Sequence, residues 1–287
     1  NYAWDPISSR LFLNSFVQFL NYWSANANFS WGLPGTIDDR LTRGGPRASR
    51  PAYFYVNTGI SSDPRKTVVL ELGQFYQWGP GESSNNQWFG GVLYKPRPSL
   101  ELQVGPSVSW DKSEAQFLGR VADPAATRTY GARYIFANVD QTTISLDTRV
   151  NYTFSPTLSL QIFAQPFVAS GDFGATKEFA EPGKFEFLRY GTEVGEIANG
   201  RIYPNGVANP AVSFGVPQPD FNVGSLRGNA VLRWEWRPGS TMYLAWQQTR
   251  DSFSPVGDFA FSRDFDNLFG TRPNNIFLIK VSYWLNP

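Results

Sequence analysis

The sequence predicts an all-β chain: an antiparallel transmembrane β-barrel of about twelve strands, or the C-terminal part of a larger barrel. Three observations predict it. Long runs alternate apolar and polar residues, connections alternate between tight proline turns and longer loops, and aromatic residues gather at strand ends.

Alternation with period two places successive side chains on opposite faces of a sheet. In Ser99 to Asp111, Leu100, Leu102, Val104, Pro106, Val108 and Trp110 share one face, and Glu101, Gln103, Ser107 and Ser109 the other. In Gln141 to Phe154, Ile144, Leu146, Val150, Tyr152 and Phe154 alternate with Ser145, Asp147, Arg149 and Asn151. Near the end of the chain, Phe277, Ile279, Val281, Tyr283 and Leu285 alternate with Leu278, Lys280, Ser282 and Trp284. Strands of a soluble sandwich average about five or six residues, whereas a spanning strand needs about 9–11. These runs have spanning length.

Strands are expected near 14–32, 51–62, 66–78, 87–95, 99–111, 115–122, 128–138, 140–154, 157–170, 223–237, 240–251 and 275–286. Tight turns fall at Ser62–Arg65, Lys95–Pro98, Asp123–Ala126, Ser155–Pro156 and Arg237–Ser240. The long connections are 33–50, 79–86, 171–222 and 252–274, with short links near 112–114 and 139. The two sets alternate along the chain, as short periplasmic turns and long extracellular loops do in an outer-membrane barrel. Trp31, Trp78, Trp88 and Trp110 fall toward the long-loop rim, and Trp234, Trp236, Trp284, Tyr94 and Tyr152 toward the short-turn rim. Such belts suit two membrane interfaces. The last strand ends on the short-turn side. Its alternating, aromatic-rich IKVSYWLNP is the kind of segment that outer-membrane assembly machinery would recognise, although Asn286 and Pro287 follow the last aromatic.

Composition narrows the chemistry. The 287 residues suffice for one domain, and a chain with neither initiator Met nor leader pattern is expected to be a mature protein or a fragment of one. Net charge is +1 with interspersed signs, which gives no footprint for nucleic acid. Cysteine and histidine are absent, which excludes thiol nucleophiles, Ser-His-Asp triads and the usual zinc sites. Aromatics make up 16% of residues, with ten Trp and thirteen Tyr. No apolar stretch reaches the about 18 residues of a spanning helix.

The run TRGGPRASRP from Thr42 to Pro51, the stretch from Arg133 to Phe173 and the closing IFLIKVSYWL resemble a particular family. It is the C-terminal barrel domain of unknown function that follows a family-9-like carbohydrate-binding module in Gram-negative bacterial proteins. The resemblance covers the chain from about residue 40 onward. It implies the bacterial outer membrane, an N-terminal carbohydrate-binding-like module absent here, and barrel strands upstream of Asn1. It implies no catalytic residues.

With the apolar face toward lipid, Glu71, Glu101, Gln103, Arg120, Arg133, Asp147, Arg149, Arg227, Arg233, Glu235 and Lys280 are expected to face the lumen. Mixed signs there suit either an eyelet that orients a solute or a salt-bridged network that fills the lumen and holds the strands in register. The segment 171–222 exceeds the about 12–15 residues beyond which loops are usually functional or disordered. Its Glu178, Glu181, Glu186, Phe187 and Tyr190 suit sugar binding, where rings stack on sugar faces and carboxylates accept hydroxyl protons. The same carboxylates could chelate calcium, and the segment could equally fold inward as a plug or form an outer hairpin. No nucleophile–base pair can be named, so neither an enzyme nor a cofactor is expected. The expected function is a pore or transport component whose partners are the bilayer, lipopolysaccharide and the assembly machinery. The alternative is a surface glycan-binding or structural protein anchored by its barrel.

Overall fold

The computed structural model describes residues 8–285. Its strands, in chain order, are β1 (Arg10–Gln18), β2 (Ser24–Gly32), β3 (Thr36–Asp38), β4 (Ala48–Arg50), β5 (Tyr53–Ser61), β6 (Val68–Trp78), β7 (Ser84–Arg97) and β8 (Leu100–Ala122). They continue with β9 (Ala132–Ser155), β10 (Leu158–Phe179), β11 (Phe187–Arg189), β12 (Glu196–Ala198), β13 (Arg201–Tyr203), β14 (Phe214–Gly215), β15 (Phe221–Arg237), β16 (Ser240–Ser254) and β17 (Asn274–Ser282). One α-helix, α1 (Phe261–Gly270), lies between β16 and β17. The described residues are all-β apart from this helix and a short 3-10 turn.

Eleven strands form one antiparallel path, β1-β2-β5-β6-β7-β8-β9-β10-β15-β16-β17, and β11 adds to β10. Among the described residues the path is open: β1 pairs only with β2, and β17 only with β16. The residues 286–287, which end the expected last strand, lie outside the described chain.

The expected strands change in three places. The run 14–32 is two strands, because Tyr22 turns the chain with a φ of 66° and Phe19 exchanges backbone hydrogen bonds with Tyr22 and Trp23. The expected links at 112–114 and 139 are not breaks. Instead β8 and β9 run through them as strands of 23 and 24 residues, with register shifts between Ser113 and Gln116 and between Phe117 and Gly119. The bulge absorbs the phase change that reads in sequence as a strand end. Eleven long strands therefore replace twelve. Consequently the Asp123–Ala126 turn sits on the long-loop side, not with the short turns. With that correction the alternation is strict. Residues 19–23, 62–67, 98–99, 156–157 and 238–239 form one rim, and 33–52, 79–83, 123–131, 180–220 and 255–273 the other.

Register joins the alternating residues into continuous rows. One row runs Tyr94, Leu102, Val150, Ile162, Ala230, Trp246, Phe277; the next runs Leu100, Tyr152, Leu160, Leu232, Leu244, Ile279. On the opposite face lies the row Gln103, Arg149, Phe163, Asn229, Gln247. The apolar face carries Phe54, stacked 5.7 Å from Trp31 and 5.3 Å from Trp78, near the loop rim. Trp234, Trp236, Tyr152 and Phe154 cluster at the other end.

Beyond the bulges, β8, β9 and β10 project as a three-stranded extension with both faces covered. On one side Tyr134, Phe136 and Phe179 pack with Ala48 of β4 and with Phe187 of β11. On the other side Ile135 packs with Tyr190 and with Ile202 of β13. The loop 33–52 reaches this extension from β2: Gly183 N–H donates to the Arg47 carbonyl at 2.8 Å, and the Arg43 guanidinium lies 5.0 Å from the Phe117 ring centre. The longest loop is thus not a free arm but half of a packed cap.

Candidate functional site at the loop-side rim

Nine of the expected lumenal residues share the polar face: Glu71, Glu101, Gln103, Asp147, Arg149, Arg227, Arg233, Glu235 and Lys280. Most have a neighbour in that face. Lys95 Nζ lies 3.1 Å from Glu101, Gln165 donates to Asp147 at 2.8 Å, and the Arg149 guanidinium lies 5.1 Å from the Phe163 ring centre. Arg227 grips Asp251 with two bonds of 2.7 and 3.0 Å, and Arg233 bonds Glu235 at 2.8 Å. Lys280 stands opposite Tyr243 in the register. Gln103 and Glu71 occupy rows with Arg149 and with Gly91. The nine do not converge on one centre; they are spread along the wall as separate pairs. Gln165, Phe163 and Asp251 belong to this face and were not singled out in the sequence, because a polar residue gains its meaning only from the partner that register sets opposite it.

Arg133 does not belong with them. It lies in the extension of β9, where a strand set beyond the bulges packs on both sides. Its guanidinium is buried and bonds Asp123 at 2.6 Å, Glu178 at 2.7 Å and Asn205 at 2.9 Å. The Tyr190 hydroxyl donates to Glu178 at 2.5 Å. Burial works against the Asp123 carboxylate, yet hydrogen bonds from Arg133, the Ala125 N–H and Asn205 outweigh it and hold its pKa below the ordinary value. Burial pushes the Tyr190 phenol far up, and the Glu178 carboxylate adds to the shift. The phenol therefore stays a donor at any physiological pH. This cluster ties β9, β10 and the 180–220 loop together.

The other expected loop residues divide accordingly. Glu178 lies in β10, not in the loop, and with Tyr190 is locked in the buried cluster. Phe187 is packed in the cap core against Phe136, at 5.1 Å between ring centres. Glu181 and Glu186 remain outside, paired with Lys184 at 2.5 and 3.7 Å, and Glu181 also faces Arg128. The five are not gathered in one binding surface. A chain folded back on a sheet extension must bury the aromatic residues that a free loop would display.

What the sequence reading missed is a cavity of about 730 Å³ where the loop 33–52 lies against the polar face of β5 and β6. The loop offers Asp38, Arg40 and Arg50; the wall offers Tyr53, Tyr55, Phe75 and Gln77; Arg10 of β1 lines the edge. Tyr55 and Phe75 rings stand 5.5 Å apart, and Arg50 Nε lies 3.6 Å from Asp38. Four arginines between positions 40 and 50 were the available signal. Planar guanidinium groups beside aromatic rings, in a cleft of this size, can orient an anionic or hydroxyl-rich solute. No cluster of acidic side chains able to hold a metal ion occurs among the described residues.

Among solved structures, the chain is similar to one described as the copper transporter OprC, with a TM-score of 0.46 and 8% identity. The match covers 96% of this chain and 41% of that one, so the chain spans less than half the length of that structure. No curated protein matches the chain. The family model for a domain of unknown function, DUF5916, matches residues 6–286, and the chain belongs to that family.

Proposed function

We propose that this chain is the wall and outer cap of a bacterial outer-membrane β-barrel, acting without catalysis as a pore or transport component. The observation that carries this reading is the sorting of the sheet. An apolar face ends in aromatic belts at both rims, and the opposite face holds most of the charged residues; Arg250, opposite Leu226 on the apolar face, is bonded to the Phe269 and Thr271 carbonyls at the end of α1. From Leu158 to Val168 the strand climbs about 33 Å at about 3.3 Å per residue. A tilt of about 40° reduces that to about 25 Å, the height of an outer-membrane apolar band. Lipid and lipopolysaccharide are the partners of the apolar face, and the assembly machinery is the partner of the last strand. Solute enters beside Arg10, Arg40 and Tyr55, and then meets the paired charges of the polar face.

The test is planar-bilayer recording of the full-length protein. Discrete conductance steps are expected, with an anion preference that weakens in the double variant Arg10→Ala, Arg40→Ala. Failure to insert into bilayers would overturn the reading. The aromatic side of the mouth cavity, Tyr53, Tyr55 and Phe75, favours a second reading, a glycan-binding surface protein anchored by its barrel. Glycan binding with no conductance would establish that one instead.

A further inference from the structure

The loop between β16 and β17 places α1 on the apolar face, not over the mouth. Leu268 packs against Gly224, whose row is Val168, Ile144, Val108 and Trp88. A β-carbon added at Gly224 would stand 3.2 Å from that of Leu268, so glycine is what lets the helix lie this close. Asp264, one turn earlier on the same side, is buried and accepts the Ala260 N–H at 2.9 Å and Arg263 Nε at 2.7 Å. The helix is thus docked, and its wall side is Asp264 and Leu268.

Its remaining faces divide cleanly. Phe261, Phe265 and Phe269 recur every four residues and form one stripe, with ring centres 4.7 Å apart in a tilted pair and 6.3 Å apart in a stacked one. Phe261 and Phe269 are exposed despite their size. Ser262, Arg263, Asp266 and Asn267 occupy the opposite arc. At 100° per residue, docking side, phenylalanine stripe and polar arc are three consecutive sectors of one wheel. Between the stripe and the wall runs a groove of about 500 Å³ whose floor includes Leu72, Gly90, Pro106, Ile144 and Pro166, and whose lining is apolar throughout.

We propose that α1 lies in the plane of the outer membrane interface and that the groove beside it holds an acyl chain of an outer-leaflet lipid. The inference deepens the membrane reading and rests on it. Height supports it, since the row beneath α1 stands about 25 Å above the short-turn rim, at the upper edge of the apolar band. So does the three-sector wheel, because a helix that lies in an interface needs one apolar side toward the chains and one polar side toward water. The groove floor belongs to the apolar face itself, with Leu72 paired to Gly90 and Pro106 to Leu146. A hydrocarbon chain is the occupant whose chemistry matches a groove whose exposed surface is apolar.

The absence of native cysteine makes the test direct. Single variants Phe261→Cys, Phe269→Cys, Asp266→Cys and Val104→Cys of the full chain are spin-labelled in vesicles of phosphatidylethanolamine and phosphatidylglycerol. Collision with oxygen and with a water-soluble nickel chelate is then measured. The labels at 261 and 269 are expected to favour oxygen several-fold, like the belt reference at 104, and the label at 266 the chelate. Chelate preference at 261 and 269 with oxygen preference at 104 would overturn the helix placement and leave the barrel intact. Chelate preference at 104 as well would overturn the membrane reading itself. For the groove, Gly90→Leu is expected to remove one retained lipid per protein in native mass spectra, since a side chain there meets only ordinary contacts of 3.5 and 3.7 Å at its first carbon. Phe265→Ala, which opens the groove from the helix side, is expected to loosen the same lipid. Retention of the full lipid complement in both variants would overturn the occupancy.

Discussion

Arg133 shows how much one buried charge can organise. It joins two strands, a turn and a loop, and its partners Asp123 and Glu178 are themselves buried. Removing it leaves two carboxylates without a cation in a low-dielectric site, so Arg133→Ala is expected to destabilise the cap by about 3–5 kcal/mol. Proteolysis within 180–220 measures this loss: cleavage should accelerate while the long strands of the sheet remain protected. The same cluster sets an acid limit. The folded pKa of Asp123 is depressed, so its contribution is complete above the ordinary carboxylate value of about 4 and disappears as pH falls through the lower, folded value. Cap opening should therefore appear below about pH 4 in the wild-type chain, and Asp123→Asn should remove that dependence. An unchanged acid transition in Asp123→Asn would assign it to another group.

At the scale of elements, β9 is the clearest case of two environments in one strand. Its lower half separates apolar from polar residues across the sheet, and its upper half is buried on both sides, from Ala132 to Ala137. Substitutions should follow that division. On the proposed membrane reading, Val150→Arg on the apolar face is expected to cost about 2–4 kcal/mol, while Arg149→Gln one step away costs far less. Reversal of the two in urea titrations of folded protein in vesicles would mean that the faces are exchanged. α1 offers a second element-scale test. Gly224→Val would place branched carbons where Leu268 and Ser252 already stand, forcing the helix from the wall. Trypsin should then cut at Arg263 in a variant whose strands still assemble; an uncut α1 would show that other contacts hold it.

For the whole molecule, the open path from β1 to β17 separates into a wall and a cap that are stabilised by different means. The wall relies on inter-strand hydrogen bonds and a solvent suited to its apolar face, the cap on its own two hydrophobic clusters. Replacing about residues 182–218 with a Gly-Ser turn removes Tyr190 and Ile202 and uncovers Ile135. It is expected to loosen the extension yet leave every strand of the path in place. Heat-modifiable migration in detergent gels would report assembly, and conductance would report the mouth. A rise in conductance fits a cap that restricts the entrance. Loss of assembly would show that the cap and the wall fold as one unit.

The sequence by itself determined the strand alternation, the two-faced sheet, the aromatic belts and the segregation of turns from loops except at Asp123–Ala126. Each is a local property: period two follows from backbone geometry, and turn chemistry from Pro, Gly and Asp at fixed offsets. It could not distinguish a bulge from a strand end at Ser113 or Val139, because both interrupt the alternation and only a partner strand tells them apart. Nor could it separate Arg133 from Arg149. Both are arginines on alternating runs, but one meets Asp123 and Glu178, brought from 10 and 45 residues away, and the other meets a phenylalanine ring. The mouth cavity and the seat of α1 were likewise decided by tertiary structure alone, since the first joins a loop to strands β5 and β6 and the second sets Leu268 against Gly224. Contacts between segments distant in sequence leave no period for a single sequence to display.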